Sequence, residues 1–261
     1  MRGFLFVKIF LWNIINKIFI YREKMQRIFL ENLDENTQNL IIKDHEIVHQ
    51  LTKVLRVKNG EKIILFNGKN NIDFIFEIKN IAKREIEVSK LSQEKNHSEI
   101  NFELTLYNAL PNKLEKIEFI IQKATEIWFT KFVFFSSKRS QKLNISENKF
   151  TRLQKIIIEA AEQSGRSHIP EIVIQEESIL ENIPEGENIF FHTKNNNSQS
   201  IKDINITNKK NINLFVWPEW GWDETEVSLL EKSMSRVHLG NRILRTETTG
   251  ITTGFYIIQS K

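Results

Sequence analysis

At 261 residues the chain is long enough for one large domain or two modest ones, and its 40% hydrophobic and 27% charged content are ordinary for a soluble globular protein. The absence of cysteine excludes a disulfide framework, thiolate metal sites and a cysteine nucleophile, and agrees with a cytoplasmic location. A formal net charge of +4 leans moderately towards polyanionic partners.

The basic residues are 26 lysines and 11 arginines, beside only 9 glycines. A bias towards Ile, Asn and Lys is that of AT-rich coding sequence. Arginines that persist against it are therefore better functional candidates than the lysines, and Arg56, Arg139, Arg166, Arg242 and Arg245 all fall inside motifs.

Residues 1–24 are apolar and basic, with Lys8, Asn13, Asn16 and Lys17 interrupting the apolar runs. A membrane span needs about 20 mostly apolar residues, and a signal peptide needs a clean apolar core before a small-residue cleavage site. Neither pattern is met, so the segment reads as an upstream extension with the functional start at Met25. A first domain is expected over 25–97, in which short β-like runs dominate from Gln26 to about Val88: Arg27-Ile-Phe-Leu30, Lys62-Ile-Ile-Leu-Phe66, Ile72-Asp-Phe-Ile-Phe-Glu77 and Glu85-Ile-Glu-Val88. Turns at Lys58-Asn-Gly60 and Asn67-Gly68 punctuate them, which predicts a small β-barrel. The polar stretch 92–98 reads as a linker to a second domain over 98–261.

In that second domain strands and helices alternate, which predicts an α/β fold with a mostly parallel sheet. Strands are expected at 103–107, 132–135, 172–174, 188–191 and 212–216. Leu114, Ile117, Ile121, Ala124 and Ile127 recur at helical spacing, as do Phe150, Leu153, Ile157, Ala160 and Ser164, with Gly165 as the stop signal. Asp223 and Glu226 form a capping-box start for another helix. The Asn/Lys-rich stretch 194–211 reads as a surface loop.

Several chemistries are unsupported. There is no G-x-G-x-x-G, Walker loop or nucleophile elbow. The six histidines offer no metal-ligand spacing beyond His45 and His49, which lack a third partner, so no metal is expected. What remains is a strand running into a Pro218-Glu219 turn, then a helix, a Leu239-Gly240 turn and the dense polar segment Arg242-Ile-Leu-Arg-Thr-Glu-Thr248. Taken alone, Arg242, Arg245 and Glu247 would read as a solvated helix start with ion pairs. A turn at the carboxyl end of a parallel strand is also where open α/β sheets bind ligands.

The order of motifs resembles the RsmE family of SPOUT-class RNA methyltransferases, over nearly the whole chain from Met25. Met25-Gln-Arg-Ile-Phe-Leu30 resembles the family's start, and His49, Val54-Leu-Arg56, Gly60-Glu61 and Phe66-Asn-Gly68 resemble its N-terminal barrel of PUA type. Lys123-Ala-Thr-Glu126, Ser137-Lys-Arg-Ser140, Glu159-Ala-Ala-Glu-Gln-Ser-Gly-Arg166, Trp217-Pro-Glu-Trp220-Gly221 and Leu239-Gly-Asn-Arg-Ile-Leu-Arg-Thr-Glu-Thr248 resemble five further family motifs in order.

The resemblance implies a C-terminal SPOUT domain with a deep trefoil knot, preceded by a PUA-like RNA-binding β-barrel, in a homodimer. It implies S-adenosyl-L-methionine as cofactor and N3 of a uridine in 16S ribosomal RNA, free or in the assembled small subunit, as the methyl acceptor. The implied cofactor site comprises Val216, Trp217, Pro218, Glu219, Trp220, Gly221, Leu239, Gly240, Asn241, Ile243, Leu244 and Thr248. Uracil N3 carries a weakly acidic proton that has to leave, so a charge stabiliser and a proton acceptor are required. Arg245 is the first candidate for the former. Glu219 and Glu247 are candidates for the latter, or else structural acceptors for loop amides. Arg27, Arg56, Lys138, Arg139 and Arg166 are the expected phosphate contacts, since a guanidinium suits bidentate phosphate binding. The alternatives are an inactive RNA-binding homologue and a ribose 2′-O methyltransferase.

Trp128, Trp217 and Trp220 stand where the family has glycine, whereas an aromatic is expected at Trp222. Glycine at such turns lets backbone take positive φ and approach a ligand, which an indole obstructs. Three replacements beside intact neighbours point to one systematic cause: UGA codons that mean glycine in the source, read as tryptophan.

Overall fold

The computed structural model describes residues 25–141, 143–192 and 198–261. The extension expected over 1–24 lies outside them, as do residues 194–197 of the expected loop. Contacts divide the chain into two compact units, one ending at Asn96 and one beginning at His97.

The first unit contains β1 (Gln26–Phe29), β2 (Asn39–Ile42), α1 (His45–His49, continued by a wide helical turn Gln50–Val54), β3 (Lys62–Phe66), β4 (Ile72–Ile81) and β5 (Ile86–Lys95). They form one sheet in the order β1-β3-β4-β5-β2, parallel between β1 and β3 and antiparallel elsewhere. Alternation works here as expected: Ile63, Leu65, Phe74, Phe76, Ile78, Ile86 and Val88 turn inward onto Leu51 and Val57. Register shifts in the β4–β5 ladder add local twist. Residues 92–95 are strand, not linker, because they pair with Ile72–Ile75. Their side chains face solvent, so their polarity marks an exposed face rather than a chain break.

The second unit is a seven-stranded sheet ordered β10-β12-β9-β11-β6-β7-β8, in which every neighbouring pair is parallel. Its strands are β6 (Glu103–Ala109), β7 (Lys131–Phe135), β8 (Glu171–Gln175), β9 (Glu187–Phe191), β10 (Gln199–Ser200), β11 (Asn211–Val216) and β12 (Ser235–His238). Its α-helices are α2 (Leu114–Glu126), α3 (Glu147–Ser164), α4 (Glu224–Leu230) and α5 (Thr246–Ser260). The apolar stripes of α2 and α3 are buried where the spacing places them, at Ile117, Ile121, Ala124, Leu153, Ile157 and Ala160. Phe129, Phe132, Phe134, Phe135, Phe190, Phe191 and Phe215 fill the core. No described helix is long and apolar enough to cross a membrane.

Helix α5 packs differently. Its buried face is Thr249, Gly250, Thr253, Gly254 and Ile257, small residues that bring its backbone against the core. A Cβ added at Gly254 would meet the Phe129 ring at 2.2 Å.

Candidate active site

Strands β12, β9 and β11 are parallel neighbours, so their carboxyl ends open on one side of the sheet. That edge is where an open α/β sheet holds its ligand. His192 follows β9, Trp217 follows β11 and Leu239 follows β12. With Phe191, Gly240, Arg242, Ile243 and Leu244 they line a small cleft.

Each turn around the cleft is tied to a neighbour. The Gly221 N–H donates to the Pro218 carbonyl at 2.8 Å, closing the turn after β11. Glu219 Oε1 accepts from Lys116 Nζ and from the Asn112 backbone N–H at 3.3 Å, fastening that turn to the start of α2. Thr246 Oγ1 donates to the Trp217 carbonyl at 3.2 Å, so α5 begins against the same turn. The Gly240 N–H donates to His238 Nδ1 at 3.1 Å. Gly221 and Gly240 take φ of +73° and +98°, and a Cβ at either would meet nothing within 4 Å. Glycine is required there by backbone conformation, and space is left beside the backbone.

The loop after β7 joins the site through Glu226. This buried carboxylate completes the capping box of α4 by accepting from the Asp223 N–H at 2.9 Å. It also accepts from Ser137 Oγ at 2.8 Å and from the Lys138 N–H at 2.9 Å. Lys138 and Arg139 are thereby placed beside the turn, each loosely paired with Asp223 at 3.7 and 3.6 Å. Arg139 Nη1 donates to the Trp220 carbonyl at 3.3 Å. Hydrogen bonds from Thr225, aided by Lys138 and Arg139, hold the Asp223 carboxyl below the usual range.

The arginines separate into two groups. Arg245 precedes α5 with its side chain 85% exposed, 3.8 Å from the half-buried Glu247. Arg56 is exposed at a left-handed turn after α1. Arg166 is only 1% exposed, and the expected phosphate contact is corrected: its guanidinium pairs with Glu99 at 3.0 Å and donates to the carbonyls of Thr125 and Phe129 at 3.1 and 2.7 Å. Arg27 is corrected likewise, because it forks onto the fully buried Asp73 at 2.7 and 2.9 Å. Both guanidiniums hold their own unit together.

Of the expected cofactor residues, Trp217, Leu239, Gly240, Ile243 and Leu244 line the cleft. Val216 and Pro218 are buried behind it, Glu219, Trp220, Gly221 and Asn241 belong to its two turns, and Thr248 lies in the first turn of α5. Phe191 and His192 also line it and were missed, as does Arg242, a functional candidate by its motif that was not placed in the cofactor site. The first two close β9, so the strand-end rule would have found them.

Comparison with known proteins identifies the family. The residue pattern of an RNA methyltransferase domain matches residues 98–257, and that of an RNA methyltransferase PUA domain matches residues 42–91. Ribosomal RNA small subunit methyltransferase E of Mesomycoplasma hyopneumoniae is 32% identical over 236 residues, covering 87% of this chain and 96% of the relative. The chain belongs to this family. Its counterpart from Rickettsia conorii is 29% identical over 235 residues, covering 88% and 93%. The crystal structure of the family member from Neisseria gonorrhoeae, bound to S-adenosyl methionine, superposes with a TM-score of 0.80 at 26% identity, covering 90% of this chain and 98% of that one. A methyltransferase of Legionella pneumophila in complex with the same cofactor gives a TM-score of 0.80 at 26% identity, covering 91% and 98%.

Proposed function

We propose that the chain transfers a methyl group from S-adenosyl-L-methionine to N3 of a uridine in 16S ribosomal RNA, free or in the small subunit. The observation that carries this reading is the cleft at the ends of β9, β11 and β12, lined by Leu239-Gly240 and Ile243-Leu244 in a member of the small subunit methyltransferase E family. The residues present fit the cofactor in all but one respect. The backbone beside Gly221 and Gly240 is open, and the cleft is lined by apolar side chains together with His192 and Arg242. The cleft is nearly filled, however: its enclosed volume of about 10 Å³ is far below the ~300–1,000 Å³ typical of small-molecule pockets, and Trp217 is part of its wall.

In this reading residues 216–221 and 239–244 hold the cofactor, and Thr248 closes its edge. The cofactor, when bound, supplies an electrophilic methyl group. The protein positions the uracil, excludes water and manages one proton. Arg245 directly follows Leu244 of the cleft and is exposed, so it can stabilise negative charge developing on the uracil oxygens. Glu247 beside it takes the N3 proton. Glu219 serves instead as a structural acceptor, since Lys116 and the Asn112 amide already occupy it. Lys138, Arg139 and Arg56 supply phosphate contacts.

The same reading extends to the trefoil knot, to cytoplasmic action and to a homodimer. Phe119 of α2 and Phe255 of α5 are exposed on two helices that pack together, apolar surface of the kind a dimer covers. The wall position of Trp217 favours one alternative, a homologue that binds RNA without catalysis. Transfer of isotope-labelled methyl groups from S-adenosyl-L-methionine separates them. Label is expected in small-subunit RNA and not in large-subunit RNA, and unlabelled small-subunit RNA would overturn the assignment.

A further inference from the structure

We infer that positions 128, 217 and 220 are glycine positions, and that the protein carrying glycine there is the form whose cofactor cleft is open. The first position stands on backbone geometry alone; the cleft opening rests on the proposed function.

Trp128 ends α2 with φ +69°, the left-handed region that bulky L-residues avoid. The hydrogen bonds define the turn. The Trp128 N–H donates to the Thr125 carbonyl at 3.2 Å and the Phe129 N–H to the Ala124 carbonyl at 3.1 Å, the paired bonds of a Schellman stop. The residue at the left-handed position of that motif is usually glycine. Helix α3 supplies the internal comparison. There Gly165 takes φ +79°, and the Arg166 N–H donates to the Ala161 carbonyl at 3.0 Å, the same six-residue bond. Two helices of one domain thus end in one motif, one with glycine and one with tryptophan. The Trp128 indole Nε1 is buried without a hydrogen-bond partner among the described residues.

Trp217 and Trp220 bracket the turn after β11, and neither takes the positive φ expected of a glycine turn, so their case rests on their side chains. Trp217 is 7% exposed and lines a cleft whose enclosed volume of about 10 Å³ holds about one water and no cofactor. Trp220 occupies the third position of the turn closed by Pro218 and Gly221, and its side chain is left 71% exposed. Trp222 shows what a tryptophan selected for this fold looks like. It is buried, its Nε1 donates to the Phe191 carbonyl at 3.0 Å, and its ring stacks on Phe135 at 6.3 Å. The other three lack that combination of burial and satisfied N–H, which one systematic misreading of glycine codons explains.

Peptide mass spectrometry of the protein purified from its source cells reads positions 128, 217, 220 and 222 directly. Glycine is expected at the first three and tryptophan at the last; tryptophan at 128 would overturn the inference. Recombinant chains give a second, independent reading. Trp128→Gly alone should raise Tm, because the left-handed turn no longer carries a side chain, whereas Trp222→Gly should lower it. An unchanged or lower Tm for Trp128→Gly overturns that assignment. Calorimetry with S-adenosyl-L-methionine should show the W128G/W217G/W220G chain binding at least about tenfold tighter than the tryptophan chain. Equal affinity for the two overturns the cleft opening. A raised Tm with no cofactor binding by either chain keeps the glycine assignment at 128 and removes the methyltransferase reading on which the opening rests.

Discussion

Arg166 and Arg245 stood out from the sequence for the same reason, their survival in a lysine-rich chain, and the fold gives them opposite work. The partner of Arg166 is Glu99, 67 residues away and outside its motif, so no local pattern could show that the guanidinium is buried. Arg166→Ala would strand the Glu99 carboxylate in the interior and should cost about 3–5 kcal/mol, read as a lowered denaturant midpoint. Wild-type stability in that variant would contradict the buried pair. The Arg245 guanidinium is 85% exposed and lies 3.8 Å from Glu247, so Arg245→Ala should leave stability and cofactor affinity intact while lowering kcat by about 10²–10³. Unchanged turnover would remove it from the mechanism. His168 adds a pH signature. Burial, then the charge of Arg166, lower its pKa from the ordinary histidine value of 6.5, so the folded state binds fewer protons than the unfolded one. Its contribution is fully present above the unfolded pKa and is lost as pH falls from about 6.5 through the folded value, so stability should decline on acidification. His168→Gln should flatten that part of the profile; an unaltered slope would exclude the histidine as its source.

At the scale of elements, legibility followed side-chain chemistry. Helices α2 and α3 carry Leu and Ile at helical spacing, and the expected stop at Gly165 and capping box at Asp223 and Glu226 are in place. Helix α5 was legible only as a polar motif with a helix-like start, because its buried face is Thr and Gly, residues of low helix propensity. Its reason is proximity: small residues let α5 lie close over Leu106 and Phe129. Gly254→Ala, with a Cβ 2.2 Å from a fully buried ring, should therefore destabilise by about 1–3 kcal/mol. Gly250→Ala should cost less, since its Cβ meets only the movable end of Leu106 at 2.8 Å. Equal costs in thermal unfolding would contradict this packing. Short strands such as β12 were illegible for another reason. Four residues with one buried side chain carry too little periodicity, and β12 is defined by its pairing with β9.

For the whole molecule, the sequence carried the family through the order of its motifs, and the sheet supplied what order alone does not. Segments near residues 192, 217 and 239, far apart in the chain, meet because β9, β11 and β12 are parallel neighbours. His192 and Arg242 entered the cleft by that route. The charge of +4 is modest, and with Arg27 and Arg166 withdrawn inside, the exposed basic groups of the site are Arg242, which lines the cleft, with Lys138, Arg139 and Arg245 beside it. RNA affinity should still fall steeply with salt, with a smaller slope in a K138A/R139A variant as fewer counterions are released. The most direct test of the account is nucleoside mass spectrometry of small-subunit ribosomal RNA from cells lacking the family's enzyme, incubated as RNA or as subunits with S-adenosyl-L-methionine and the protein isolated from its source. The account predicts that N3-methyluridine appears; a ribose-methylated nucleoside in its place, or no new nucleoside, would contradict it.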